Sequence, residues 1–367
     1  MRLLLTASFL VLTSAFRQDL SQRELNYMYY PDERGIPHII DLKQTVPNEA
    51  LRTIRNSAES VVFKLYTPTS PNDGQILTKE NVHNSMFEHT YPTSFIIHGW
   101  KSNANEKVGT LIREAYLDVG NYNVITVDWS YIASMYYIYA VKGMTIVAEQ
   151  VALIIEDLEY YAGLDKSTVK IIGHSLGAHI AGLAARSLTG NLKEIVGLDP
   201  ALPLITADIM INAKDGEHVQ IIHTAGAPLA IFQPLGTSDF YPNGGKSQPG
   251  CGIDFFSTCA HSRAYYYFAE SIRDPTGFHS IGQRSRTNCK KCSPENLNKC
   301  MYTNIGGESK EASSKLCSRC AKLGNNCKKN IYATAYMGGS ELDPNARGSY
   351  ELRTASSPPF ALKQNNV

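Results

Sequence analysis

From residue 169 the chain runs VKIIGHSLGAHIAGLAARSL (169–188). The first four residues have the valine and isoleucine content of a buried strand, which is spent at Gly173. From Leu176 onward the residues favour helix, and Gly177, Ala178, Ala181 and Gly182 keep it slim enough to lie close on a sheet. Ser175 therefore sits on a sharp strand-to-helix turn that needs strained backbone angles, and flanking glycines remove the Cβ clashes that would forbid them. Such a turn predicts a hydroxyl projecting into the open, with a helix N-terminus behind it favouring negative charge. G-x-S-x-G alone is common by chance; the strand before it and the helix after it make it a nucleophile motif.

The same alternation continues on both sides. VVFKLYT (61–67), SFIIHGW (94–100), NVITVDW (123–129), EIVGLDP (194–200) and HVQIIHT (218–224) read as strands. EKVGTLIREAYLDVG (106–120) and AHSRAYYYFAESI (260–272) read as helices. In MTIVAEQVALIIEDLEYYAG (144–163), Met144, Val147, Val151, Ile154 or Ile155, Leu158 and Tyr161 fall on one helix face. Strands alternating with helices of this length predict an α/β class: a mostly parallel central sheet with helices on both faces, in a single domain.

At 367 residues the chain has ample length for a substantial core, and a formal net charge of +1 points to no nucleic-acid partner. The N-terminal MRLLLTASFLVLTSAF reads as a secretory signal peptide (1–15) cut after Ala15, which predicts a secreted, extracellular protein. No other stretch reads as long and apolar enough to cross a bilayer. Residues 16–60 are mixed and polar, expected as a leader or peripheral segment. The main domain is expected over 61–350, with a tail at 351–367.

All eight cysteines lie in the last third: Cys251, Cys259, Cys289, Cys292, Cys300, Cys317, Cys320 and Cys327. An even count behind a signal peptide implies four disulfides, with Cys251–Cys259 closing a short loop. The C-x-x-C pairs at 289/292 and 317/320 also suit zinc, but an oxidising compartment favours disulfides. Residues 289–327 then form a stapled, loop-rich insert.

A serine hydroxyl needs a histidine to take its proton and a carboxylate to orient that histidine. In α/β folds such groups gather at the carboxyl ends of strands. Asp199 ends the strand after the serine helix; Asp128 also ends a strand, and Asp215 lies in a loop. Among ten histidines, His174 and His179 are too near Ser175 in sequence to face it. His98 reads as a loop holder, and His261 begins a helix just after Cys259. Spacing alone leaves these alternatives open.

The motifs FIIHGW (95–100), GHSLGAHIAG (173–182), GLDPALP (197–203), DFYPNGG (239–245), PGC (249–251) and CAHSRAYYYFAESI (259–272) occur in one order. Together they resemble the animal lipases of the pancreatic type, in their insect-type secreted phospholipase A1 branch, over roughly residues 60–345. The resemblance implies an α/β-hydrolase fold, with Ser175 as nucleophile, His261 as base and then acid, and Asp199 as the orienting carboxylate. It also implies an oxyanion hole from the backbone N–H groups of Trp100 and Leu176, and a Cys320–Cys327 disulfide. Cys289, Cys292, Cys300 and Cys317 would pair among themselves.

Departures from that family carry expectations of their own. Cys251 and Cys259 enclose only GIDFFST where pancreatic-type lipases carry a long lid, and the loop at 225–238 is shorter than theirs. Ser175 is therefore expected to stay accessible, with Ile253, Phe255 and Phe256 at its rim. That predicts sn-1 cleavage of phosphoglycerides at a membrane or micelle surface, with little interfacial activation. The alternatives are a triacylglycerol or galactolipid lipase, or an idle yolk-type lipid binder. No second domain is expected to follow, and with it no colipase. The family's calcium loop is poorly matched, with Asn212 where a carboxylate is usual and Met210 where an arginine is, so no metal or cofactor is expected. Residues 289–329 hold nine Lys or Arg against three Glu, a basic segment expected to draw the protein toward anionic lipid.

Overall fold

The computed structural model describes residues 26–284 and 331–362, apart from Glu33, Asn191 and Pro228. The expected signal peptide, the basic segment and the six cysteines from Cys289 to Cys327, with the expected Cys320–Cys327 pair, lie outside these residues.

The chain opens with a hairpin, β1 (Tyr27–Pro31) and β2 (Pro37–Asp41), then α1 (Asn48–Arg55). Two antiparallel strands follow, β3 (Val62–Thr67) and β4 (Ser70–Leu77). Next come β5 (Thr93–Ile97), α2 (Lys107–Val119), β6 (Asn123–Asp128) and α3 (Tyr137–Ala162). After them run β7 (Val169–His174), α4 (Leu176–Ser187), β8 (Glu194–Leu198), β9 (His218–Ile222) and β10 (Ser238–Pro242). The chain ends with α5 (Thr258–Arg273), β11 (His279–Arg284), β12 (Ile331–Tyr336) and β13 (Gly348–Leu352).

Among the described residues one sheet holds eleven strands, ordered β12-β11-β13-β10-β9-β8-β7-β5-β6-β3-β4. The seven from β13 to β6 are mutually parallel. Every residue of β5, β7, β8 and β9 is buried, because helices cover both faces and each side chain must find apolar company. Alternation splits them between two cores. Phe95, Ile97 and Ile171 pack with Val147, Val151 and Ile155 of α3 and Ile180 of α4. Ile96, Ile172 and Val196 pack with Ile112 and Tyr116 of α2 and Ala264 and Phe268 of α5. This is the α/β-hydrolase architecture expected from the sequence.

After β5 the chain moves outward to β6, then returns to place β7 on the other flank of β5. That reversal leaves a crevice at the strands' carboxyl ends, where such sheets hold their sites. Both the Gly99–Trp100 turn after β5 and Ser175 after β7 fall there.

Three expectations need correction. The helix α3 has 26 residues and a mean hydropathy of 1.6 over its most apolar stretch, long and apolar enough to cross a membrane. Its Met144, Val147, Val151, Ile154, Ile155 and Leu158 are instead buried in the core. Tail and leader also turn out to be part of the body: β13 reaches Leu352 and Phe360 is buried. Residues 27–60 contribute the buried Tyr30, Ile40 and Ile54, and Tyr30 and Ile40 join the same core as β5.

Candidate active site

Ser175 has φ +59° and ψ −120°, a conformation that ordinarily only glycine adopts. The surroundings enforce it. Its N–H donates to Leu198 O at 3.0 Å, tying the turn to the next strand. A Cβ on Gly173 would lie 2.0 Å from Gly177 O, and one on Gly177 would lie 2.4 Å from Ile97 O. These glycines thus serve close approach: α4 is pressed against β5 and β7, and the serine is squeezed out at the bend. A Cβ on Gly99 would sit 2.9 Å from Ser175 Cβ, so the turn after β5 runs directly against the nucleophile.

Asp199 follows β8, wholly buried and at φ +46°. Its Oδ1 accepts from the N–H groups of Thr224 (2.7 Å) and Ala225 (3.0 Å). Its Oδ2 lies 2.6 Å from Nδ1 of His261, on the first turn of α5. A carboxylate only accepts, so Nδ1 carries the proton and Nε2 is the basic nitrogen. Ser175 and His261 face one cavity with Gly99, Trp100 and His174. Leu176 opens α4, so its N–H belongs to the first turn, which has no intrahelical acceptor. The structure thus brings Ser175, Asp199, His261, Trp100 and Leu176 to one place.

The competing residues are engaged elsewhere. Asp128 accepts from Ser130 N–H and Ala104 N–H, holding two loops. Burial raises its pKa, but the hydrogen bonds it accepts outweigh that and hold the carboxyl well below the usual range. His98 donates from Nδ1 to Gly99 O at 2.8 Å and accepts at Nε2 from Trp129 N–H at 3.1 Å, fixing the Gly99–Trp100 turn. His179 donates from Nε2 to Ala201 O at 2.8 Å and accepts from Ile211 N–H at 3.2 Å, bracing the turn after Asp199. Burial pushes its pKa down to about 4, so it is neutral at physiological pH. His174 donates to His261 O at 3.2 Å, and the two rings pack with centroids 4.5 Å apart.

Residues implied by the family's calcium loop do not fit a cation. Arg186 binds both oxygens of Asp215, at 2.7 and 2.9 Å, and donates to the carbonyls of Asp208 and Met210. Asn212 Oδ1 accepts from Lys214 N–H. A guanidinium already uses the oxygens that a metal would need.

Cys251 and Cys259 are disulfide-bonded. Their loop leaves Ile253 and Phe255 over 80% exposed, with Phe256 half-covered, and none of the three lines the cavity at the serine. Yet Ser175 is only 3% exposed, so the expected accessibility is corrected. What covers it is Tyr30 of β1, whose Oη lies 3.0 Å from Ser175 Oγ. The ring is in edge contact with Trp100 and His261, and burial raises the phenol's pKa far above its usual value, keeping it neutral. The remaining cavity is about 10 Å³, near the minimum for one water molecule. Sequence reasoning missed Tyr30, although YMYYPDERGIPHII carries a signal: two tyrosine- or isoleucine-rich runs around a Pro-Asp-x-x-Gly turn.

The model of the lipase family matches residues 39–322, well over half of the chain. Pancreatic triacylglycerol lipase of Myocastor coypus is 36% identical over 262 residues, covering 63% of this chain and 57% of that one. Phospholipase A1 of Vespula vulgaris is 38% identical over 200 residues, covering 50% and 59%. The chain thus spans less than two thirds of the length of these curated relatives. A solved α/β hydrolase, MGS-M1 from a deep-sea metagenome, aligns over 56% of this chain and 72% of that one, at 16% identity and a TM-score of 0.32, too slight a likeness to bear on the site. The breadth of the family match, over the same span that builds the Ser175 turn, establishes that this chain belongs to the lipase family.

Proposed function

We propose that the chain is a secreted serine esterase that cleaves the sn-1 acyl ester of phosphoglycerides. Ser175 Oγ would attack the ester carbonyl while His261 Nε2 takes its proton. Asp199, held by two amides on its other oxygen, stabilises the resulting imidazolium without being protonated. The tetrahedral oxyanion would accept from the N–H groups of Trp100 and Leu176. His261 then returns the proton to the departing lysolipid alcohol, leaving an acyl-serine. Water, activated by the same histidine, releases the fatty acid and restores Ser175.

The observation that favours a phosphoglyceride is the short disulfide loop. Closed between Cys251 and Cys259, its exposed Ile253 and Phe255 form no apolar roof over Ser175. A charged head group, costly to bury under such a roof, can remain in water beside the opened site. The Vespula vulgaris phospholipase A1 similarity supports the same reading, whereas the pancreatic triacylglycerol lipases support the alternative. Phosphatidylcholine with different acyl chains at its two positions decides between them. Release of the sn-1 chain, with kcat/KM well above that for triolein, is expected; a preference for triolein would overturn the substrate assignment.

A further inference from the structure

Gln248 lies between β10 and the disulfide loop, buried, with its side-chain amide wholly engaged. Nε2 donates to Thr224 O at 3.0 Å and to Pro242 O at 2.9 Å. Oε1 accepts from Asn243 Nδ2 at 2.8 Å and from the Tyr267 hydroxyl at 3.0 Å. An amide side chain has two N–H donors and two lone pairs on its oxygen, so every bond it can make is made. None of the four partners is Ser175, His261 or Asp199. The turn's own bond, from Cys251 N–H to Gln248 O, uses backbone only and asks for no glutamine.

Two of those partners lead to the two halves of the Asp199–His261 pair. Thr224 O and Ala225 N–H belong to one peptide unit, and in a planar trans peptide they point in opposite directions. Gln248 therefore grips the carbonyl of the unit whose N–H donates to Asp199 Oδ1 at 3.0 Å. Bonds in such a row polarise and strengthen one another. Tyr267 stands on α5, the helix that carries His261. Its hydroxyl accepts from Thr354 Oγ1 at 3.0 Å, and Asn243 Nδ2 donates to Thr354 Oγ1 as well as to Gln248. One side chain thus ties the clamp on the carboxylate to the helix of the base.

We infer that Gln248 is a positioning residue for the triad. It fixes the Thr224–Ala225 peptide against Asp199 and holds α5 at the spacing that brings His261 Nδ1 to 2.6 Å from Asp199 Oδ2. The inference rests on the esterase reading of the site and adds a residue that acts through Asp199 and His261 without touching substrate. Its leverage comes from geometry: a misplacement of about 1 Å in a reacting group, caused from a distance, can cost roughly a hundredfold in rate.

Hydrolysis of p-nitrophenyl butyrate by the full chain reads the triad without regard to which natural ester is preferred. Gln248→Met keeps the length and loses all four bonds; kcat is expected to fall roughly tenfold to a hundredfold with KM little changed. Gln248→Glu still accepts from Tyr267 and Asn243 but, ionised, cannot donate to Thr224 O, and should lose as much. Tyr267→Phe removes one bond, is the mildest change to folding, and should lower kcat several-fold. Val147→Ala, in the other core, is the control: it should lower the melting temperature and leave kcat unchanged below the melt. In the proton NMR spectrum, the far-downfield His261 Nδ1–H resonance should move or broaden in the Gln248 and Tyr267 variants and stay in place in Val147→Ala. Parental kcat in Gln248→Met or Gln248→Glu, a loss confined to KM, or an unmoved resonance in all three variants would overturn the inference. If the parent hydrolyses no ester, the esterase reading fails, and the resonance alone decides whether Gln248 positions the pair.

Discussion

Asp199 meets His261 with one oxygen and two backbone amides with the other. Oδ2 lies 2.6 Å from Nδ1, while Oδ1 is clamped by Thr224 and Ala225. The carboxylate cannot rotate without losing both amide bonds, so its facing oxygen is dedicated to the histidine. Asp199→Asn keeps the volume but presents an amide that can hold the wrong imidazole tautomer. The expected result is a fall in kcat of roughly 10³–10⁴-fold, with Ser175→Ala inactive and both variants folded. Ester hydrolysis measured alongside thermal melting checks this; full activity in either variant would remove the triad assignment.

His179 gives the fold a pH dependence of known sign. Its pKa is about 4 in the fold against an ordinary 6.5, because burial disfavours the charged ring. Between those values the unfolded chain binds a proton that the folded chain does not, so stability is fully present above 6.5 and is lost as pH falls toward 4. His179→Gln, which can still donate to Ala201 O and accept from Ile211 N–H, should flatten that part of the curve. Thermal melts of both proteins across this range test it; identical slopes would contradict the assignment.

Arg186 stands where a cation would otherwise be needed. EDTA and added calcium are expected to leave activity and melting temperature of the parent unchanged. Arg186→Ala strands the buried carboxylate of Asp215 and should cost roughly 3 kcal/mol or more. In that variant alone, calcium should recover part of the loss, since Asp215 and the carbonyls of Asp208 and Met210 are left as open oxygens. A reversible loss of parent activity in EDTA would show that the loop does bind metal.

How legible these features were follows from the range of the interactions that make them. The central strands were readable because burial on both faces requires continuous apolar runs, as in VKII and IVGL. The start of α3 at Tyr137, ahead of the expected Met144, was hidden because YIYAVKG mixes ring, glycine and lysine, and only the core decides that it coils. The strands β10 to β13 carry polar residues that pattern alone does not separate from loops. Tyr30 and Ser175 are 145 positions apart; no local propensity encodes that contact, and a peripheral reading of the segment was the natural result. Arg186 and Asp215 likewise meet only once α4 and its following loops are folded.

The backbone at Ser175 carries one more consequence. With φ at +59°, the position suits glycine and strains every other residue. Ser175→Ala removes the hydroxyl but keeps the Cβ and hence the strain, whereas Ser175→Gly relieves it and should melt higher than the parent, by the equivalent of about 1 kcal/mol or more. A search among variants for heat resistance alone would therefore drift toward glycine at this one site and discard the nucleophile, so improvement of this protein by thermal selection has to be coupled to a readout of turnover.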